Sequence, residues 1–593
     1  VTTGSVWLGE GRIGVTWSDP DRQRWAEILQ FVRRIRGAEF DANHSPKCWW
    51  LPLRGQGDTI VELEDRGLEV APEVFEVVAI KSPAVEGARL ELSSALSLAE
   101  PIVVTSRHGR TLHPFQEAGV QYLLQAKGCL LGDPVGLGKT VQALAAAKLA
   151  DVWPVLVVCP ASLRPTWRQE VREWLPGHTV AVVAKREGWI PNADVVITSY
   201  ALAPRLDLGC RDWQTVIVDE CHYLKNPESK RSHAIAPLAY KAKYVWGLSA
   251  TPVQNRSEEL RNLLDLTGWI DTFGGWDGFE QRYCRVVWMP ITVKTKQGKT
   301  FEKKIKKYVG VKHGRELHQR LRANCYVRRD KTAVLGQLPP IQRYQVPLKI
   351  NNRAEYRRVE EEFIRWLRDR ILSDPEVIRV ADQLEGLERS EYLARVVAER
   401  VERALRAEAL VHIGALRQTA AIGLAYNGSA WVEELLSGGE KVIVFAHHRE
   451  VQSALAERFP LAAHLTAGGG VEEAARQFQD PHGPQLMVAS LKAGGLGLTL
   501  TEAQHVVHAE LSWTPADHDQ AEGRAYGRLN DPHGITSWYW LAEGTVYQEM
   551  WELIESKRRA VDMVTDGVQG CGAVVTVGEI AGRIAARLAE KEA

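Results

Sequence analysis

The chain lacks the marks of several protein classes. Across 593 residues it carries only eight cysteines, at 48, 129, 159, 210, 221, 284, 325 and 571, and no Cys-x-x-Cys pair. That scatter argues against a zinc ribbon and a disulfide framework, and implies a reducing compartment with no structural metal. No run of roughly 18 apolar residues is present, and the amino terminus has no charged-then-apolar secretory pattern. A soluble protein of the cytoplasm without membrane attachment is expected. Neither sign of charge is in excess, because Lys plus Arg and Asp plus Glu each count 74. With no global basic field, any grip on nucleic acid has to come from local patches. A single hydrophobic core does not serve a chain this long, so roughly three to five structural units are expected.

What the chain does have is rhythm. Short apolar, β-branched runs alternate with Ala- and Leu-rich helical patterns from about residue 112 to 335, as in VLVVCP, DVVITSY, TVIVDE and YVWGLSAT. That alternation predicts a parallel α/β sheet. It returns between about 440 and 545 in KVIVFAHH, QLMVAS, HVVHAEL and SWYWLAE, so two α/β lobes are expected. Between them, Asn351 to Asn427 is dense in Arg, Glu, Leu and Ala without strand signals and predicts a helical insertion with a solvated charged face. Residues 293–307, VKTKQGKTFEKKIKK, carry seven lysines and predict a basic β-hairpin projecting from lobe one, which is either a DNA contact or merely solvated. Thr576 and Glu579 form a capping-box pattern, opening a helix with Ile580, Ile584 and Leu588 on one face, expected to pack against lobe two. At the other end RIGVTWS reads as a strand, RQRWAEILQFVRRI as an amphipathic helix, CWWLPL as a strand and IVELEDRGLEV as a helix. The expected divisions are a small α+β domain (1–100), lobe one (101–340), the helical insertion (341–430), lobe two (431–567) and a terminal helix (568–593).

The segment GCLLGDPVGLGKTVQALAAAKLA is a buried strand, a Gly-rich loop and a good helix former in succession, the context a phosphate-binding loop requires. Gly136 and Gly138 let backbone N–H groups turn inward onto phosphate oxygens, with Leu137 between them, where the following helix adds its positive dipole end. Lys139 then reaches the β- and γ-phosphates and Thr140 can hold Mg²⁺. The first position of the motif, usually small, is Asp133 here. Downstream, TVIVDECHYLKN is an apolar strand ending in Asp219, a Mg²⁺ ligand, and Glu220, which polarises the attacking water. A zinc role for Cys221 and His222 fails for want of further ligands at metal-like spacing.

With these motifs in place, residues 110 to 567 resemble the Swi/Snf-type DNA-dependent ATPases of helicase superfamily 2. LHPFQEAGV looks like the adenine-reading segment, which implies Gln116 as the base contact. VLVVCPASLRPTW and VVITSY resemble the lobe-one segments that hold a DNA strand by its phosphates, implying Ser162, Trp167, Ser199 and Tyr200. DECHYLKN and LSATPVQNRSEEL resemble the acidic and coupling motifs, with His222, Ser249 and Thr251 in the coupling role. CYVRRDKTAVLGQLPP resembles the Arg-Arg-x-Lys segment that follows lobe one in this family. In lobe two, SLKAGGLGLTLTEA implies a DNA contact at Lys492 and a nucleotide contact at Gly497. HAELSWTPADHDQAEGRAYGRLN departs from the family pattern, because Gly527 stands at the second Arg position and Arg528 follows it. Arg524 carries over as an arginine finger, and Arg528 serves only if the loop is shifted by one residue.

Phe-Ala-His-His together with Ala-Glu-Leu-x-Trp-x-Pro is most similar to the annealing-helicase, or HARP-type, branch. The HARP modules of that branch join a helix to a Trp-containing strand, which implies a DNA role for Arg33, Arg36 and Trp49, with Arg34, Lys47 and Trp50 nearby. A plain α+β domain with core tryptophans is the alternative. The resemblance implies two tandem RecA-like lobes that bind ATP and Mg²⁺ and translocate, as a monomer, on duplex or forked DNA without reading sequence, remodelling or annealing strands. Conventional strand separation and a nucleotide-switched DNA-binding scaffold are the alternatives.

Overall fold

The computed structural model describes residues 3–592 except 10–11, 36–37, 52–56, 72–73, 75–82, 186–188, 295–299, 337, 402–405, 466–470, 492–497, 528–532 and 569–574. It divides into two units, one of Val1–Tyr283, His313–Gly336 and Met563–Val568, the other of Cys284–Lys312, Gln337–Asp562 and Gln569–Ala593.

The first unit begins with a small sheet of β1 (Thr3–Gly9), β2 (Arg12–Ser18), β3 (Glu39–Asp41), β4 (Cys48–Leu51) and β5 (Glu69–Val70), in the order β3-β4-β2-β1-β5. Helix Arg22–Arg34 starts where the Asp21 carboxylate accepts from the backbone N–H of Gln23 and Arg24. It buries Ile28 and Val32 against Val6, Ile13 and Val15. The helix expected through IVELEDRGLEV is shorter, Gly57–Asp65. Gly67 takes φ +90°, and the N–H groups of Gly67 and Leu68 turn back to Glu64 and Leu63, which ends the helix and frees Glu69–Val70 to pair with β1. The core of this domain ends at Val74. Helix Pro83–Leu92 packs on helices Pro114–Ala126 and Gly314–Asn324 of the next domain, and its Arg89 lies 5.1 Å from the Trp269 ring.

That sheet uses β6 (Gly128–Leu131), β7 (Val155–Cys159), β8 (Val180–Val182), β9 (Val195–Ser199), β10 (Thr215–Asp219) and β11 (Tyr244–Leu248). A hairpin, β12 (Cys284–Lys294) with β13 (Thr300–Val311), precedes β14 (Tyr326–Val327). The hairpin groups with the second unit rather than with lobe one. All seven strands of lobe one are parallel, in the order β14-β6-β11-β10-β7-β9-β8. Burial on both faces explains why β6, β7, β9, β10 and β11 read as unbroken apolar runs.

In the second unit β15 (Gln342–Leu348), β16 (Val442–Ala446), β17 (Ala463–Leu465), β18 (Leu486–Ser490), β19 (His505–His508) and β20 (Thr536–Ala542) form a parallel sheet in the order β15-β20-β19-β16-β18-β17. The sequence pattern misses β15, because only Val346 of this edge strand is buried and no apolar alternation marks it. Helices Arg353–Leu367, Pro375–Ala381, Gly386–Arg400 and Arg406–Leu436 fill the expected insertion. The last lies so close to the sheet that a Cβ on Gly428 would sit 2.3 Å from the Trp540 ring.

Thr576 and Glu579 form the expected capping box, with side chains and backbone N–H groups bonded reciprocally. Its helix, Val577–Glu592, buries Ile580 and Ile584. These residues join the core that contains Val444 and Trp540 of the lobe-two sheet, as expected, and the helix also runs close along helix Gly386–Arg400, where a Cβ on Gly582 would meet the Ala394 carbonyl at 2.4 Å. Two RecA-like lobes, a helical insertion and a small α+β domain make up the chain. Among the described residues no helix is long and apolar enough to cross a membrane.

Candidate functional site

The phosphate loop leaves β6 and enters helix Lys139–Ala150 through two left-handed glycines, Gly136 at φ +89° and Gly138 at φ +74°. Any side chain is strained there, and a Cβ on Gly138 would lie 2.4 Å from Gln116 Nε2. Gln116 is buried and its amide is engaged at both ends by backbone. Nε2 donates to the Leu137 carbonyl at 3.1 Å, and Oε1 accepts from His113 N–H at 3.0 Å. Gln116 thus ties the phosphate loop to the start of its own helix.

Lys139 Nζ donates to the carbonyls of Asp133 (2.8 Å) and Pro134 (3.3 Å). Part of its surface stays accessible, yet crowding around the ammonium pulls its pKa down, against the opposing pull of Glu220, Asp133 and Asp219. The acidic pair closes β10. Burial, reinforced by the charge of Glu220, pushes the Asp219 carboxyl up to about 6. Glu220 sits at φ +52°, a left-handed conformation costing a non-glycine residue on the order of 1–3 kcal/mol. Tyr200 holds that turn by donating its hydroxyl to the carbonyls of Asp219 (2.6 Å) and Glu220 (3.3 Å).

The three residues expected to couple, His222, Ser249 and Thr251, are linked to Glu220 through Ser249. Ser249 Oγ donates to Glu220 Oε2 at 3.3 Å, shares a 3.0 Å hydrogen bond with His222 Nδ1, and accepts from Thr251 N–H at 3.1 Å. This links the end of β10 to the segment that leaves β11.

Three of the expected lobe-one DNA contacts are turned inward. Trp167 is 1% exposed and its indole N–H donates to Asp219 Oδ2 at 2.8 Å. Ser199 and Tyr200 are buried as well, so of this set only Ser162 is exposed. The reason is amphipathic. On helix Arg164–Trp174 the buried residues Trp167, Val171 and Trp174 recur at helical spacing, a core stripe already readable in the sequence.

Asp133 explains its own departure from the usual small residue. Its carboxylate and the Arg329 guanidinium are fully buried and paired at 2.8 Å, with Gln142 Nε2 donating to the same oxygen and Arg329 N–H to the other. The neighbouring Arg328 donates to the carbonyls of Gly132 and Ala250, both at 2.8 Å, and pairs with Asp566 at 2.5 Å. The Arg-Arg-x-Lys segment thus clamps the strand ends on which the phosphate loop and Ser249 stand, a role that sequence inspection missed.

In lobe two, Glu510 joins two distant motifs. Its Oε1 accepts from the N–H groups of His447 and His448, both at 2.8 Å, and its Oε2 meets His448 Nδ1 at 2.5 Å. Helix Pro515–Ala525 carries Arg524, mostly buried, whose carbonyl accepts from Leu500 N–H at 3.0 Å. Two residues earlier, Glu522 is buried and accepts from Arg343 (2.6 Å) and the Tyr539 hydroxyl (2.9 Å). Burial lowers His508 to about 4 and holds His518 well below the usual imidazole value, so both imidazoles beside this carboxylate are neutral at physiological pH.

Gly527 also has a steric reason. Its N–H donates to the His533 carbonyl at 3.1 Å, and a Cβ would meet the His533 backbone nitrogen at 2.5 Å. No arginine fits this backbone as it stands. Arg528, Lys492, Gly497 and Arg36 lie outside the described residues. In the amino-terminal domain Trp50 is buried and donates to Asp41, whereas Trp49 is half-buried, tilted against the exposed Phe40 at 5.4 Å and capped by Arg33 at 5.9 Å.

Comparison with known proteins matches residues 59–381 to the SNF2-related domain and residues 428–529 to the helicase conserved C-terminal domain. A DNA annealing helicase and endonuclease of Mus musculus is 30% identical over 478 residues, covering 77% of this chain and 41% of that protein. The SWI/SNF-related matrix-associated actin-dependent regulator of chromatin subfamily A-like protein 1 of Xenopus tropicalis is 30% identical over 477 residues, covering 77% and 45%. The chain spans less than half the length of these relatives.

Proposed function

Because the chain belongs to the SNF2-related family, whose domain matches more than half of its residues, we propose that it is a DNA-dependent ATPase that translocates on duplex or forked DNA and remodels or anneals strands. The observation that carries this reading is the meeting of Lys139, Asp219 and Glu220, whose charges act on one another where β6 and β10 end.

The residues present fit a nucleotide and its metal. The left-handed backbone of Gly136 and Gly138 suits a loop that turns its N–H groups toward phosphate oxygens, and the oxygen donors of Thr140 and Asp219 suit a hard cation. Mg²⁺, when bound, neutralises charge on the β- and γ-phosphate oxygens. The backbone N–H groups of Gly136, Leu137 and Gly138 and the Lys139 ammonium hold the phosphates. Glu220 takes a proton from the attacking water, and Ser249 and His222 report its state toward Thr251. Arg524 is the proposed arginine finger.

DNA is held through its phosphates, so the motor reads no sequence. Ser162 and Lys492 remain the proposed motor contacts. The Arg33–Trp49 pair supports a fork-selecting role for the amino-terminal domain. We place the chain with its DNA in the cytoplasm and as a monomer. The test is the ATPase rate with no DNA, single strands, duplex and forks, followed by displacement against annealing assays. A rate indifferent to every DNA sinks the reading and leaves a nucleotide-switched scaffold.

A further inference from the structure

The chain as a whole is electrically balanced, but the hairpin β12–β13 is not. Residues 284–311 hold eight basic side chains, Arg285 and seven lysines, against one acidic, Glu302. Such a concentration on a two-stranded ribbon is a local field of the kind that draws a polyanion.

The register sorts this charge by face. Val286 pairs with Tyr308 and Trp288 with Lys306, and Lys304 lies two residues before Lys306, so strand alternation puts Val286, Trp288, Lys304, Lys306 and Tyr308 on one side of the ribbon. Trp288 is 58% exposed, and Lys304 and Lys306 are exposed beside it. The Lys306 ammonium lies over the indole, 5.4 Å from the ring centroid. A cation–aromatic pair of this kind steadies a ribbon by about 0.5–1 kcal/mol at an exposed site, which does not account for the second exposed lysine, Lys304, on the same face.

An exposed indole among lysines matches the chemistry of platforms for unpaired nucleic acid, where bases stack on aromatic rings and cations follow the backbone. A duplex offers phosphates but keeps its base faces stacked away. We propose that the Trp288 face of the hairpin binds an unpaired DNA strand, stacking one base on the indole while Lys304 and Lys306 hold adjacent phosphates. The ammonium lying over the ring moves to a phosphate as the base arrives. This inference rests on the reading of the chain as a DNA motor and adds to it the arm of the substrate that the hairpin takes.

The test uses the full chain with a labelled oligothymidine, a fork with one unpaired arm, and a blunt duplex. Binding is read by anisotropy and ATP turnover with the same DNAs. Trp288→Ala weakens oligothymidine and fork binding roughly tenfold, the loss of one stacked base. Trp288→Phe restores most of it, and the Lys304→Glu/Lys306→Glu double variant lowers affinity and flattens its salt dependence. Blunt-duplex binding and duplex-stimulated turnover stay as in the wild type. Unchanged oligothymidine affinity in both Trp288→Ala and the lysine variant overturns the proposal, as does an equal loss on blunt duplex. Melting temperatures identify a misfolded variant, and the double variant, altered only at exposed positions, then decides. If the wild type binds oligothymidine through Trp288 yet no DNA alters its turnover, the motor reading fails while the hairpin site stands.

Discussion

Asp219→Asn separates the electrostatic strain of the nucleotide site from its chemistry. The Asp219 carboxyl stands at about 6 against an ordinary 3.8, raised by burial and by Glu220. That difference corresponds to about 3 kcal/mol by which folding disfavours the ionised form. A carboxyl raised on folding is easiest to bury while protonated. Its effect on stability is therefore nil below pH 3.8, grows unfavourable as pH rises through about 6, and is level above that. Asn carries no charge and escapes the whole effect at neutral pH. It has one acceptor oxygen, however, where the carboxylate uses two, for the Trp167 indole and the Glu220 N–H, and losing one bond costs about 1 kcal/mol. The nucleotide-free variant is expected to be about 2 kcal/mol more stable than wild type at pH 7.5, a rise in Tm of roughly 4–8 °C for a domain of this size. At pH 5 the advantage shrinks to under about 1 kcal/mol. Calorimetry at the two pH values, without nucleotide or metal, reads it, and turnover of the same variant is expected to fall to background because the proposed Mg²⁺ ligand is gone. A variant less stable than wild type at pH 7.5, or equally favoured at both pH values, refutes the electrostatic account.

Glu220→Gln keeps an oxygen for Ser249 and is expected to bind ATP normally but not turn it over, in contrast to Lys139→Ala, which weakens binding itself; equilibrium nucleotide binding beside turnover distinguishes them. Arg524→Ala should lower turnover on the order of 10³-fold, as loss of an arginine finger does, and a comparable loss in Arg528→Ala would identify Arg528 as the second finger. Restoring the family residue with Gly527→Arg does not raise turnover and lowers Tm, because even the Cβ meets the His533 backbone at 2.5 Å. Asp133→Ala leaves the Arg329 guanidinium buried without its carboxylate and should cost about 3–5 kcal/mol in denaturant unfolding.

Much of this architecture is written in neighbouring residues. Gly136 and Gly138 between an apolar strand and a helix former determine a phosphate loop, because left-handed backbone is a property of the residue itself. The Thr576–Glu579 box formed as read for the same reason, since both partners lie within one helical turn. Unbroken apolar runs announced β7, β9 and β10, while β15, exposed along an edge, carried no such pattern. Motif order in the sequence also placed His222, Ser249 and Thr251 in one functional group, and the fold brings them to Glu220.

Tertiary structure alone decided which buried donor meets which acceptor. The family resemblance implied Trp167 and Tyr200 as DNA contacts, and topology sets β7, β9 and β10 side by side and turns both side chains onto the acidic pair. Asp133 finds Arg329 across 196 positions of sequence, and Glu510 finds His448 across 62. Local spacing cannot encode such pairs. A desolvated charge or indole N–H takes the partner that the packed strands bring within about 3 Å, and that partner exists only once the sheet has closed around it.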